Sequence, residues 1–207
     1  MHYSTLYKFM NQRYAKDLTE RGIVQLSPLS AFADEVTLGP QIADPSEGTS
    51  TVTAENLQLR PGEPIPTAFR RNIKGSVFLS AGKVILGSQV TNVLIFCTTQ
   101  KFDTGLFMQF GYDSCILINN ATNFFRIISE SIRNDFQYKG TFPCYYRPRT
   151  NHYLSKAASK EPYLLKEPKY SHQKEIRSIW QSKKDQTITR PVILECPELT
   201  KYCQIHV

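Results

Sequence analysis

Gln173, Glu175 and Arg177 occupy alternate positions in the stretch Tyr170-Ser171-His172-Gln173-Lys174-Glu175-Ile176-Arg177-Ser178-Ile179-Trp180. Successive side chains of an extended chain point to opposite faces. An amide, a carboxylate, a guanidinium and Ile179 therefore share one face, and Lys174, Ile176, Ser178 and Trp180 share the other. In a cleft the polar row could polarise or grasp a ligand. On a solvated face it would be an ordinary cross-strand ion-pair array. His172 stands close to Glu175, and with His152 it raises a second chemistry: metal-independent acid–base catalysis of the ribonuclease type, using Glu175 and a lysine or arginine.

The chain that must position these groups has 207 residues, 41% hydrophobic and 12% aromatic, enough for one well-cored domain and too apolar for general disorder. No apolar run reaches the roughly 18 residues of a membrane helix. Met1-His2-Tyr3-Ser4 lacks the basic-then-apolar pattern of a secretory leader, so a cytoplasmic protein without a membrane partner is expected. Cysteines at 97, 115, 144, 196 and 203 are odd in number and form no CxxC pair, and the four histidines form no HExxH pair. Neither a disulfide framework nor a metal site is expected.

The net charge of +7 is unevenly spread. The first 125 residues are balanced, whereas residues 126–190 carry 14 Lys/Arg against 6 Asp/Glu. A concentrated positive field attracts polyphosphates, whether a dinucleotide or a nucleic acid. Within this segment a basic loop over about 147–170 interleaves Arg147, Arg149, Lys156, Lys160, Lys166 and Lys169 with Tyr153 and Tyr163. Cations with aromatics suit stacking on bases while holding phosphates; a mobile surface loop is the plainer alternative.

Periodicity supplies the elements. A first strand is expected over 3–9, a helix from Arg13 to Arg21 ended by Gly22, and a second strand at Ile23–Leu26. Residues 36–75, rich in Pro, Gly, Ser and Thr, read as a long flap-like loop. Strands follow at 76–80 and 83–86 across an Ala81-Gly82 turn, at 92–97 as the most apolar and central one, and at 114–118. A short helical segment fits 105–110, and Ala121 to Phe136 is the strongest amphipathic helix. Edge strands are expected at 141–146 and 187–195 because of Pro143 and Pro191. The sum is an α+β single domain over 1–207, a largely antiparallel or mixed sheet with a few packed helices.

The order of these landmarks resembles a widespread family of uncharacterised bacterial proteins. The matching pieces are Leu6-Tyr7-Lys8-Phe9, Gly22–Leu26, Ser27-Pro28-Leu29-Ser30, Phe32-Ala33-Asp34, Asp44-Pro45-Ser46-Glu47-Gly48, and Lys169-Tyr170 with Gln173-Lys174-Glu175-Ile176-Arg177. That layout in turn resembles the ADP-ribosyltransferase superfamily, including DarT-like toxins and phage-defence effectors. The resemblance implies a split β-sheet of the ADP-ribosyltransferase type, NAD as substrate, and a nucleic-acid acceptor, RNA or DNA. It also implies an antitoxin or chaperone as a possible partner.

Carried onto this sequence, the resemblance assigns Glu175 and Gln173 to catalysis and Tyr7, Lys8, Ser27, Phe32 and Arg177 to NAD binding. The first strand offers Lys8 where the superfamily has Arg or His. Cleaving the nicotinamide–ribose bond builds oxocarbenium character on the sugar, as in glycoside hydrolysis. A carboxylate below the ring, Glu175, would stabilise it. Gln173 would orient the acceptor, Tyr7 or Phe32 would sandwich the nicotinamide, Ser27 would lie beside it, and Arg177 or Arg70 would neutralise pyrophosphate. The competing readings are the ribonuclease-like toxin and a non-catalytic nucleic-acid-binding module.

Overall fold

The computed structural model describes residues 3–55, 77–80, 83–155, 160–184 and 186–207. Its axis is β6 (Val93–Thr99), whose continuous run Val-Leu-Ile-Phe-Cys-Thr-Thr is buried on both faces. Along one edge β6 pairs antiparallel with β12 (Glu175–Ser182), from Val93 opposite Gln181 to Thr99 opposite Glu175. Its other edge is divided. Leu94 and Ile95 pair with Pro28 and Ser27 of β2 (Ile23–Pro28), while Thr99 pairs with Tyr7 of β1 (Leu6–Met10). Between these registers Cys97 has only its β12 partner, Arg177. The sheet is therefore split at Cys97: β2 continues to β13 (Val192–Glu195), and β1 to β7 (Ser114–Ile118) and then β14 (Cys203–Ile205).

Lys8 fills the gap from the core side. Its ammonium donates to the Cys97 carbonyl at 3.1 Å and lies 4.4 Å from the Phe96 ring centroid. Burial, partly offset by the neighbouring Cys97 and Glu175, lowers its pKa.

Side-chain alternation sorts the sheet faces. Ile176 and Trp180 of β12 join Leu94 and Phe96 of β6 under α1 (Gln12–Arg21) and α4 (Ala121–Ser131), which contribute Leu18, Phe124, Phe125 and Ile128. Ile179, Val93 and Ile95 face the opposite way, against Leu29, Tyr163 and Leu164. The Asn120 side chain accepts the Asn123 N–H and starts α4. The helix stops at Ser131 and does not run on to Phe136, because Phe136 opens β8 (Phe136–Pro143), the sheet's edge strand, opposite Ser182.

Part of the expected flap is ordered secondary structure. Asp34 caps the short helix α2 (Glu35–Leu38), and Thr49–Glu55 forms β3 in a second sheet. There β3 lies between β5 (Lys83–Gln89) and β10 (Thr150–His152), with β4 (Val77–Ser80) outside β5. The Thr-Ser-Thr-Val-Thr-Ala-Glu run reads as loop by its hydroxyls, yet its β-branched residues alternate and bury Val52 and Ala54. Residues 56–75 of that loop, with Arg70 and Arg71, Ser76 of the strand expected at 76–80, and the Ala81-Gly82 turn lie outside the described residues. Two two-residue strands, β9 (Tyr145–Tyr146) and β11 (Leu165–Lys166), pair in parallel, and α3 (Thr104–Phe110) precedes β7. Among the described residues no helix is long and apolar enough to cross a membrane.

Gly22 ends α1 in the left-handed region at φ 70°, and a Cβ there would lie 2.1 Å from the Cys196 carbonyl oxygen. Gly111, which ends the helix Thr104–Phe110, is left-handed as well at φ 67° but has nothing within 4 Å. Thermal denaturation should separate the two effects. Gly111→Ala meets only the left-handed penalty of about 1 kcal/mol, or about 2–4 °C of Tm. Gly22→Ala must also displace backbone and should lose at least twice as much.

Candidate functional site

Arg177 is fully buried, and every part of its guanidinium is engaged. Nη1 and Nη2 donate to the two Glu47 oxygens at 2.9 and 2.7 Å, Nη1 also to the Tyr163 carbonyl at 2.6 Å, and Nε to Glu175 Oε1 at 2.6 Å. The other Glu175 oxygen, Oε2, accepts from Lys166 Nζ at 2.7 Å, and Lys166 also donates to Gln173 Oε1. Beside this set, Arg149 Nη2 donates to Asp44 Oδ2 at 2.6 Å and Nη1 to the Thr49 carbonyl at 2.9 Å. Three buried carboxylates thus meet three buried cations, so the interior cluster is close to neutral.

Local backbone geometry puts these groups within reach. A 3-10 turn, Pro168–Gln173, ends at Lys174, whose φ of 45° is the one left-handed value at a non-glycine among the described residues. The kink turns the chain into β12 and leaves Gln173 and Glu175 facing the same ammonium. The Tyr146 hydroxyl accepts the Glu175 N–H at 2.6 Å, and the Glu175 carbonyl accepts the Cys144 N–H at 2.9 Å. Burial by itself would raise the Glu175 pKa. The Arg177 and Lys166 charges, with hydrogen bonds from Arg177 and Cys97, outweigh it and hold the carboxyl well below the usual carboxylate range.

Glu175, 8% exposed, lies on the floor of a half-open cleft enclosing about 560 Å³, mouth included. Cys97, Thr98, Thr99, Lys166 and Gln173 complete the floor. Tyr7 and Phe9 of β1, together with Phe32, Ile42, Leu106, Phe110 and Tyr112, supply its largely apolar walls. The cleft opens beside the sheet split, because a strand edge divided between β1 and β2 cannot be covered by either alone. Flat apolar walls beside a polar floor are the form of a small-molecule site.

The structure brings together Tyr7, Phe32, Gln173 and Glu175 around one space. Lys8 contributes to the wall, but its ammonium is turned away to Cys97 and Phe96. Two expected residues are elsewhere. Arg177 does not face the cleft: it stands behind Glu175 with its donors spent on Glu47, Glu175 and Tyr163, so it cannot reach a pyrophosphate. Ser27 pairs with Ile95 on β2 and accepts from Gln25 Nε2 at 3.3 Å. Gln173 precedes β12 and is not on it, since the strand begins at Glu175. Its Nε2 donates to the Gln41 carbonyl at 2.8 Å.

The basic loop is less exposed than its composition suggests, because Arg149 and Lys166 are buried partners of acids. His152 and His172 are both exposed, and neither lines the cleft. Sequence reasoning assigned no role in the site to Lys166, Glu47, Asp44, Cys97 or Tyr146. For Glu47 and Asp44 a signal existed, the acidic-Gly element ending in Glu47-Gly48; for Lys166 none distinguishes it from its neighbours. Among the described residues no cluster of His, Cys, Asp or Glu is placed to hold a metal ion. Comparison with protein-family models, curated proteins and solved structures finds no match.

Removing Arg177 while keeping its bulk, as in Arg177→Met, leaves Glu47 buried without its bidentate partner. A loss of about 3–5 kcal/mol is expected, seen as a drop of roughly 6–20 °C in Tm. The Glu175 contribution to stability has a defined sign. Its folded pKa is depressed, so the contribution is complete above the ordinary carboxylate pKa of about 4.3 and is lost as pH falls toward the folded value. Wild-type Tm should lose stability as pH falls below about 4.5, and Glu175→Gln should flatten part of that acid slope.

Proposed function

We propose that the chain is an NAD-dependent ADP-ribosyltransferase that breaks the nicotinamide–ribose bond over Glu175. The observation that carries this reading is a carboxylate held ionised by two buried cations on the floor of an aromatic-walled cleft. The nicotinamide of NAD is bound to ribose as a pyridinium. When the C–N bond breaks, its electron pair goes to the ring nitrogen and nicotinamide leaves neutral, so no general acid is required. The site needs a fixed negative charge near the sugar carbon as it becomes an oxocarbenium ion, and Glu175 supplies that charge without changing protonation.

The same feature weighs against the ribonuclease-like reading. That chemistry moves protons between groups titrating near neutrality. Glu175 is far from that range, and His152 and His172 are outside the cleft. Tyr7 and Phe32 each offer an aromatic face to a flat ring in the cleft, and the split sheet is in keeping with an ADP-ribosyltransferase-like fold. Gln173 keeps one amide N–H beyond its bond to Gln41, which could orient an acceptor. Lys169, His172 and Lys174 project outward on the turn that carries Gln173, and they favour a nucleic acid as that acceptor.

Incubation with NAD labelled in its adenylate phosphate, against RNA, DNA and protein acceptors, tests the reading. Label should move to an acceptor as nicotinamide is released, and Glu175→Gln should slow both by about 100- to 1,000-fold, with the melting temperature recorded to confirm folding. RNA cleavage without NAD, or no consumption of NAD by the folded wild type, would sink it.

A further inference from the structure

Lys166 has a part of its ammonium that the buried cluster does not use. Nζ carries three N–H donors. Among the described residues its acceptors are Gln173 Oε1 and Glu175 Oε2, with the Tyr170 ring centroid 5.1 Å away. The residue is 2% exposed and is one of those that line the cleft. Its partner Glu175 is incomplete too: Arg177 donates to Oε1, Lys166 to Oε2 and the Cys97 thiol to the carboxylate, three of roughly four acceptor positions. The floor therefore presents a donor and an acceptor side by side, 2.7 Å apart, fixed by bonds behind them.

A donor and an acceptor at hydrogen-bond spacing match two vicinal hydroxyls, one donating and one accepting. The oxygens of a cis-diol on a five-membered ring also lie about one hydrogen bond apart. A phosphate would be repelled by Glu175, and a single hydroxyl would leave half of the pair unmatched. We propose that Lys166 and Glu175 form a cis-diol clamp. Glu175 accepts a hydrogen bond from one ribose hydroxyl, Lys166 donates one to the oxygen of the other, and Lys166 determines specificity for ribose over deoxyribose. The proposal deepens the NAD reading and rests on it for the identity of the sugar.

The expected selectivity follows from leaving a charged group unmatched. A ligand lacking one hydroxyl should bind about 10- to 100-fold more weakly, the range for a hydrogen bond to a charged partner. The probe is carbocyclic NAD, whose sugar-like ring on the nicotinamide side cannot ionise, so binding is read without turnover. It is compared with its 2′-deoxy and 3′-deoxy counterparts on that ring, by calorimetry with the full chain.

Wild type should lose affinity for both deoxy forms. Lys166→Met should abolish the penalty for one hydroxyl and keep it for the other, and Lys166→Arg should restore part of it. A structural role alone would weaken all three ligands by one common factor and overturn the proposal, even for a variant that is only partly folded, because ratios are compared. Equal binding of the three by wild type, or binding of none, would overturn it as well. If the diol pattern holds while NAD releases no nicotinamide, the transferase reading fails and the clamp stands. Release of nicotinamide without diol selectivity gives the reverse.

Discussion

A guanidinium sealed from water must find acceptors for its N–H groups, and Arg177 finds them in Glu47, Glu175 and the Tyr163 carbonyl. This one set of contacts ties three parts of the chain together. Glu47 comes from the turn before β3, Glu175 and Arg177 from β12, and Tyr163 from the turn before β11. Such a cluster need not add much net stability, because desolvating the charges is costly. Losing any one partner is expensive all the same, and that cost fixes where each member sits. Glu175 is thereby held charged and aimed, as a group that acts by electrostatics requires.

The split sheet places that carboxylate beside a cleft. β6 is shared along one edge by β1 and β2, and the Cys97 carbonyl left between them is met by Lys8 from the core side. On the opposite face the gap is walled by Tyr7, Phe9 and Phe32, and Glu175 enters from the neighbouring strand. A β1 that followed β6 for its whole length would cover the edge and reduce this opening. The position of the cleft is thus a consequence of strand register, and its floor is a consequence of the ion cluster.

Much of this was legible in the chain. The apolar run at 93–99 marks the central strand, Gly22 marks the end of α1, and the alternation after Lys174 places Ile176 and Trp180 opposite Arg177 and Ile179. Glu175 and Gln173 meet at one ammonium as residue types at that spacing allow, although Gln173 arrives by a left-handed kink at Lys174 and not by strand alternation. What periodicity could not reveal was which distant charges would be buried together. Lys166 and Arg149 look like loop cations until Asp44, Glu47 and Glu175 are brought to them through long-range strand pairing, and Arg177 looks free to meet a phosphate until Glu47 claims it. Hydroxyl-rich β3 was hidden for a related reason: its residues suit a loop locally, and only the neighbouring β5 and β10 make it a strand.

On the proposed ADP-ribosyltransferase reading, a carboxylate kept ionised under a leaving group that needs no proton should give catalysis that ignores pH. The most direct measurement is the rate of nicotinamide release from NAD by the wild-type chain between pH 5.5 and 8.5, within the range where it is folded. A flat kcat/KM across that range is the predicted result. A bell-shaped profile, or a limb that rises or falls tenfold per pH step, would mean that a titrating group carries the reaction and would contradict the role given to Glu175.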